Sequence, residues 1–167
     1  LDILPKYLVG NAMSQENSVL EFNLYNSGTS DLNYYISSGY SLGVVEFEKE
    51  NYADWTLPEN QDRITDDIWI TRCERYPLFN AFNQGCTRNY QVYGTEWRCG
   101  PTGDSNGGYT QEFRWLKQQC GINDGSIYSL HLIEEDLYFD IEFHFWQSGG
   151  GGGGVSYTRT HVNEDGT

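Results

Sequence analysis

Ten residues near the C-terminal end, 137–146, alternate strictly between apolar and other side chains. A period of two is the pattern of a β-strand that buries one face and leaves the other exposed. Trp146 falls on the face opposite the apolar side chains, which are Leu137, Phe139, Ile141, Phe143 and Phe145. A chain that carries such a strand is built on a sheet.

The rest of the chain offers partner strands for this one. Segments with strand-like patterns occur at 19–25, 32–36, 40–48, 67–72, 126–133 and 155–160. An acidic turn joins 126–133 to 137–146 and predicts an antiparallel hairpin, whereas 53–67 is polar and is predicted to be a loop. Helical spacing of Tyr109, Phe113, Leu116 and Cys120 predicts one short helix near 110–120. The pattern therefore predicts a mainly β fold, an antiparallel β-sandwich or jelly-roll-like domain with one short helix.

Length and termini predict one extracellular domain. The 167 residues fit a single domain, 1–167, with 1–13 as an extended N-terminal segment. This segment is apolar for a chain end, with aliphatic side chains at Leu1, Ile3, Leu4, Leu8 and Val9. A first residue other than Met is expected of a processed, secreted chain. No apolar run approaches the roughly 18 residues of a spanning helix, so no membrane span is predicted.

The chain is strongly acidic, with 10 Lys and Arg against 24 Asp and Glu and a net charge of −14. Such a balance argues against nucleic acid or an anionic membrane as partner. The 13 tyrosines and the scarcity of lysine are more typical of extracellular β-proteins than of cytosolic enzymes.

Four cysteines lie within 48 positions, at Cys73, Cys86, Cys99 and Cys120. Their spacings of 13, 13 and 21 contain no C-x-x-C pair, which disfavours a zinc site and favours two disulfides in an oxidising compartment. Three connectivities are open, and Cys73–Cys86 with Cys99–Cys120 is preferred because each closes a short loop.

Evidence for catalysis is thin. Asp140, Glu142 and His144 share a strand face and would suit acid–base or metal chemistry, yet the solvated face of an amphipathic strand is the simpler interpretation. Nucleophile elbow, phosphate loop and dinucleotide motifs are missing from the sequence, and no enzyme activity is predicted. Acidic turns have oxygen ligands that suit calcium, but none completes an EF-hand. Apart from calcium, no cofactor is expected.

Aromatic residues and a glycine run are the remaining candidates for contact. Five tryptophans and 13 tyrosines suit sugar stacking, although aromatics are equally common in cores and protein interfaces. Trp146, on the exposed parity of its strand, is a contact candidate for a sugar or a neighbouring subunit. Gly149, Gly150, Gly151, Gly152, Gly153 and Gly154 form either a floppy hairpin tip or a tight loop lying against another backbone.

Several short motifs together resemble a β-rich domain of large secreted, surface-sorted proteins of environmental bacteria. They are ENQDRIT at 59–65, WITR at 69–72, GTEW at 94–97, and Trp146 followed by the glycine run and SYTR at 156–159. The resemblance spans about residues 44–160 and implies an extracellular, non-enzymatic β-domain. The four cysteines and a free-standing chain of this length depart from the pattern.

Two function classes follow. The first is a structural or interaction protein of the cell surface that assembles with its own copies into a filament or layer, or that adheres. Its expected contacts are the five aliphatic residues of the N-terminal segment, Trp146, the six glycines, Tyr157 and Arg159. The second is a carbohydrate-binding, lectin-like module for extracellular glycans. Electron microscopy and glycan binding distinguish the two classes.

Overall fold

The computed structural model describes residues 42–105 and 107–167. Over these residues the fold is mainly β, as predicted, with two antiparallel sheets and one α-helix. The strands that the sequence predicts at 19–25 and 32–36 lie outside the described residues, as does the N-terminal segment 1–13. A single domain over 1–167 therefore stays a prediction.

The larger sheet has five strands. Along the chain they are β1 (Val45–Lys49), β5 (Thr95–Cys99), β6 (Ser126–Leu132), β7 (Leu137–Trp146) and β8 (Val155–Val162), and in the sheet they lie in the order β1-β8-β7-β6-β5. The smaller sheet has three strands in chain order, β2 (Asp62–Arg63), β3 (Trp69–Arg72) and β4 (Leu78–Asn80). The predicted hairpin is confirmed, since β6 pairs with β7 antiparallel from Ser126–Phe143 to Leu132–Leu137.

One hydrophobic core joins the two sheets. Phe139, Ile141 and Phe143 of β7 are at most 1% exposed, and they share a cluster with Ile70 of β3 and Phe113 of the helix. The three-stranded sheet and the helix therefore supply the cover that the apolar face of β7 requires. The arrangement is consistent with the predicted β-sandwich.

The end of β7 differs from the prediction. A β-bulge between Phe143 and Phe145 inserts one residue against β8, which reverses the alternation of the side chains. Phe145 is 44% exposed, and Trp146 instead turns toward the core side, with its ring centroid 6.1 Å from that of Phe113. The prediction that Trp146 lies opposite the apolar face is wrong for this reason.

One other local prediction needs correction, and the predicted short helix is confirmed with a later first residue. The segment 53–67, predicted as a loop, contains a turn of 3-10 helix at Pro58–Asn60 and strand β2. The helix α1 (Phe113–Cys120) begins four residues after Tyr109, and Gly121 ends it as expected. Thr110, just before the helix, exchanges backbone hydrogen bonds with Trp97 of β5, which holds the chain extended there.

Candidate functional site

A cavity of about 450 Å³ opens where the end of β3, helix α1 and the end of β7 meet. Its size falls within the range of about 300–1,000 Å³ that is usual for ligand pockets. Five cationic side chains line it, which is half of the lysines and arginines in the whole chain: Arg72, Arg75, Arg88, Arg114 and Lys117. This positive charge is concentrated at one place in a chain of net charge −14.

Among the described residues, no carboxylate lies within ion-pair distance of these five cations. The residues that line the cavity include no Asp or Glu. The ion pairs within the described ranges involve His131, His144 and Arg159, and none of the five cavity cations. The cavity is thus a positively charged concavity that suits an anion.

Arg72, the last residue of β3, lies at the back of the cavity and is 2% exposed. Its guanidinium donates to three backbone carbonyls, those of Tyr76 at 2.8 Å, Gly154 at 2.9 Å and Gln147 at 2.7 Å. The Trp146 ring lies beneath it, 3.8 Å from the guanidinium carbon to the ring centroid. Neutral dipoles and an aromatic face orient this cation but leave its charge uncancelled.

The environment of the cavity weakens proton binding by its basic groups. Burial lowers the pKa of Arg72 to about 10. The pKa of Lys117 is lowered by burial and, to a smaller degree, by repulsion from Arg72 and Arg114. An anion placed among these groups would relieve the repulsion on Lys117 and raise the pKa of both groups, so the cavity favours a negative ligand.

Helix α1 presents two of the cations on one face. Arg114 and Lys117 are three residues apart and so lie on the same side, whereas Phe113 and Leu116 are buried against the sheet. The guanidinium carbon of Arg114 lies 4.8 Å from the ring centroid of Tyr90, and the ammonium of Lys117 lies 4.8 Å from that of Trp146. Like charges at this spacing disfavour the helix slightly.

Both disulfides fasten segments that carry cavity cations. The cysteines pair as preferred from the sequence, Cys73 with Cys86 and Cys99 with Cys120. The first bridge joins the residue after Arg72 to the segment of Arg88, and the second ties the end of α1 to β5. The covalent links therefore hold the positions of cations that come from three separate segments.

The glycine run has two different halves. Gly149 and Gly150 face open space, where an added Cβ would meet nothing within 4 Å. Gly152 and Gly153 have φ of +93° and +71°, and a Cβ on them would lie 2.6 Å from the Tyr52 nitrogen and 2.5 Å from the Glu74 nitrogen. The tight-loop alternative thus describes 152–154, where the Gly154 nitrogen also donates to the Asn51 side chain. Gly149, in contrast, lies on the rim of the cavity.

Tyr157 and Arg159, expected at a contact surface, lie instead in the interior. They are 1% and 0% exposed, and both donate to the carboxylate of Asp62, Tyr157 at 2.9 Å and the Arg159 Nε at 2.9 Å. Burial and the charge of Asp62 raise the pKa of Tyr157 well above its usual value. The ENQDRIT and SYTR motifs therefore meet as an internal link between β2 and β8, and these two side chains offer no surface to another copy.

The acidic face of β7 forms no converging site. The Asp140 carboxylate accepts from the Thr102 nitrogen at 2.7 Å, and His144 pairs through Nε2 with the Thr158 hydroxyl at 2.8 Å, while Glu142 is exposed. In the part of the chain that the structure describes, no group of three or more His, Cys, Asp or Glu residues is placed to hold a metal ion.

A second, shallower depression of about 310 Å³ adjoins the cavity and shares Arg88 with it. Its lining otherwise consists of aromatic and amide side chains with one carboxylate: Asn89, Tyr90, Gln91, Tyr93 and Glu112. Both tyrosines are 50% exposed. The two depressions, which share Arg88 and are together called the groove, differ in lining charge, from strongly positive in the first to balanced in the second.

Sequence reasoning identified Trp146 and Gly149 but missed all five cations beside them, because Arg72 was noted only as the end of the WITR motif and Arg75, Arg88, Arg114 and Lys117 were not noted at all. A usable signal was present, because six of the ten basic residues fall between positions 72 and 117, the same segment as the cysteines. The predicted contacts Leu1, Ile3, Leu4, Leu8 and Val9 lie outside the described residues.

No helix within the described ranges is both long and apolar enough to cross a membrane. Comparison of the chain with protein-family models, with curated proteins and with solved structures finds no match, so the cavity itself is the main guide to function.

Proposed function

We propose that this chain is a non-enzymatic extracellular binding domain whose cavity takes an anionic sugar, one that bears a carboxylate or a sulfate. The observation that carries the proposal is the meeting of five of the ten basic side chains in one cavity without a lining carboxylate. Arginine forks recognise carboxylate and sulfate geometry by paired hydrogen bonds, and four of the five cations are arginines.

A sugar fits the remaining lining better than a bare ion does. Tyr76, Gln118 and Ser148 add hydroxyl and amide groups around the cations, which suit the hydroxyls of a sugar ring. A cavity of about 450 Å³ is also larger than a single inorganic anion requires. The two disulfides and the sequence resemblance to secreted surface domains support an extracellular setting, where such glycans are found.

The test is a binding measurement on the full chain with an array of carboxylated, sulfated and neutral glycans, followed by calorimetry on the best ligand. R88Q and R114Q each remove one charged donor and are expected to weaken binding by about 10- to 100-fold. R63Q is the matched control, because Arg63 is exposed, stacks on Trp69 and does not line the cavity.

Two outcomes contradict the proposal. One is equal binding of neutral and anionic glycans, with no effect of R88Q or R114Q. The other is single-stranded DNA binding as tightly as any glycan at the same ionic strength, which would assign the cavity to phosphates.

Binding of an anionic sugar should weaken as salt increases, since the cavity opens to solvent.

Self-assembly through sheet edges is the second candidate function. Strand β1 lies at an edge of the five-stranded sheet within the described ranges, and an exposed edge accepts a strand from another copy. Deletion of residues 1–9 tests the N-terminal mode. Filaments in electron micrographs of the full chain and their loss from the truncated chain support it; a full chain that stays monomeric at high concentration and salt excludes assembly.

A further inference from the structure

We infer that the ligand is an extended glycan in which acidic and neutral sugars alternate, with the acidic unit in the cationic cavity and a neutral neighbour in the adjoining depression. This inference rests on the proposed function and specifies its ligand. Its physical basis is the contrast in charge between two depressions that share Arg88.

The shared lining places the two depressions next to each other. Arg88 lines both, and Arg114 of the first contacts the ring of Tyr90 in the second, with the guanidinium carbon 4.8 Å from the ring centroid. A ligand longer than one unit that fills the cavity therefore passes onto Tyr90 and Tyr93. Half-exposed tyrosine rings with neighbouring amides are suited to the apolar face and hydroxyls of a neutral sugar.

Glu112 disfavours a second negative charge in the adjoining depression. Its carboxylate is exposed, lines that depression and is opposed there by the single cation Arg88. An anionic sugar at this position meets a like charge, whereas a neutral sugar finds a hydrogen-bond acceptor. The groove thus accepts one charged unit followed by an uncharged one.

The charge of the rest of the chain favours the same ligand. Apart from the five cavity cations, the sequence carries five basic and 24 acidic side chains. A polymer with a charge on every unit is repelled wherever it leaves the cavity, and a polymer with isolated charges is repelled less. Localised charge on the ligand matches localised charge on the protein.

Three probes test this on the full chain by calorimetry: methyl glucuronide, a hyaluronan hexasaccharide with one carboxylate per two sugars, and hexagalacturonate with one per sugar. The hyaluronan probe is expected to bind at least about tenfold tighter than either of the others. Y93A should weaken the hyaluronan probe about tenfold and leave methyl glucuronide unchanged. F82A is its control, since Phe82 is 48% exposed and lines neither depression.

E112Q supplies the decisive comparison. E112Q should strengthen the binding of hexagalacturonate severalfold and change the binding of the hyaluronan probe little. Only the uniformly charged ligand places a second carboxylate beside residue 112, where the Glu112 carboxylate repels it. The inference is overturned if hexagalacturonate binds the unaltered chain as tightly as the hyaluronan probe does and neither E112Q nor Y93A changes the affinities. In that case the proposed anionic-sugar cavity still stands. Failure of all three probes, together with no anionic hit on the array, overturns the proposed function as well.

Discussion

Two buried arginines, Arg159 and Arg72, show how one residue type has different roles in two regions of this molecule. Arg159 is 0% exposed and bonds the carboxylate of Asp62, so its charge is cancelled where it is buried. Arg72 is 2% exposed and bonds only carbonyl oxygens, while its ring partner Trp146 lies at the cavity. The neutralised pair of Arg159 and Asp62 links the two sheets, whereas the uncancelled charge of Arg72 at the cavity wall attracts an anion.

The largest expected effect comes from breaking the cancelled pair. D62N leaves Arg159 buried without its carboxylate and should lower the free energy of unfolding by about 3–5 kcal/mol. Urea denaturation measures this, with D66N as the control because Asp66 is exposed and close in sequence. A loss below about 1 kcal/mol would mean that water or a shifted side chain already compensates Arg159.

The next effect concerns the support of Arg72. G153A forces a left-handed residue with φ +71° to carry a Cβ 2.5 Å from the Glu74 nitrogen, beside the Gly154 carbonyl that Arg72 binds. Strain and overpacking together should cost about 2–4 kcal/mol. G150A is the matched control, since its Cβ meets nothing within 4 Å. Equal melting temperatures for the two variants would contradict the tight-loop geometry.

R72M separates stability from binding. The variant leaves three carbonyls without a donor but removes a buried charge, so the stability loss should be about 2 kcal/mol, less than for D62N. Affinity for the anionic probe should fall by about tenfold or more, measured on folded protein at low temperature. R159M should show the reverse, a large stability loss with unchanged affinity per folded molecule. Unchanged affinity in R72M would place the ligand elsewhere.

The smallest effect is a pH dependence of binding. Since burial, Arg72 and Arg114 lower the pKa of Lys117 from 10.5, its positive charge is present at neutral pH and is lost as pH rises through the lowered value. Affinity for the anion should therefore decline by a few-fold as pH rises from neutral into the alkaline range, where Arg72, with a pKa of about 10, also loses charge. K117R keeps its charge and should show a smaller decline. Identical profiles for the two proteins would mean that Lys117 does not face the ligand.

Much of the fold followed from local pattern. The period of two in 137–146, the adjoining turn and the strand 126–133 specified the β6–β7 hairpin, because alternation and turn chemistry are properties of neighbouring residues. The reversal of side-chain alternation at Trp146 could not be predicted from the local pattern, since the β-bulge is set by pairing with β8 and not by the residues of β7 alone.

The candidate site followed only in part. Trp146 was marked by its place in the alternation of 137–146 and Gly149 by the glycine run, but Arg75, Arg88, Arg114 and Lys117 are ordinary surface residues when read singly. Their significance arises because three segments, distant in sequence and fastened by the disulfides, bring like charges to one place. Spatial convergence of this kind leaves no periodicity in the chain.

The sequence by itself determined the β class, the short helix and the acidic character, and it favoured one of three cysteine pairings, because all of these depend on composition, spacing and local periodicity. Tertiary structure alone decided which arginine is neutralised. SYTR and WITR each end in an arginine, yet Asp62 reaches only Arg159, and Arg72 faces carbonyls and the cavity. The charge state of a buried site depends on partners brought from far along the chain, and those partners are fixed only when the sheets pack together.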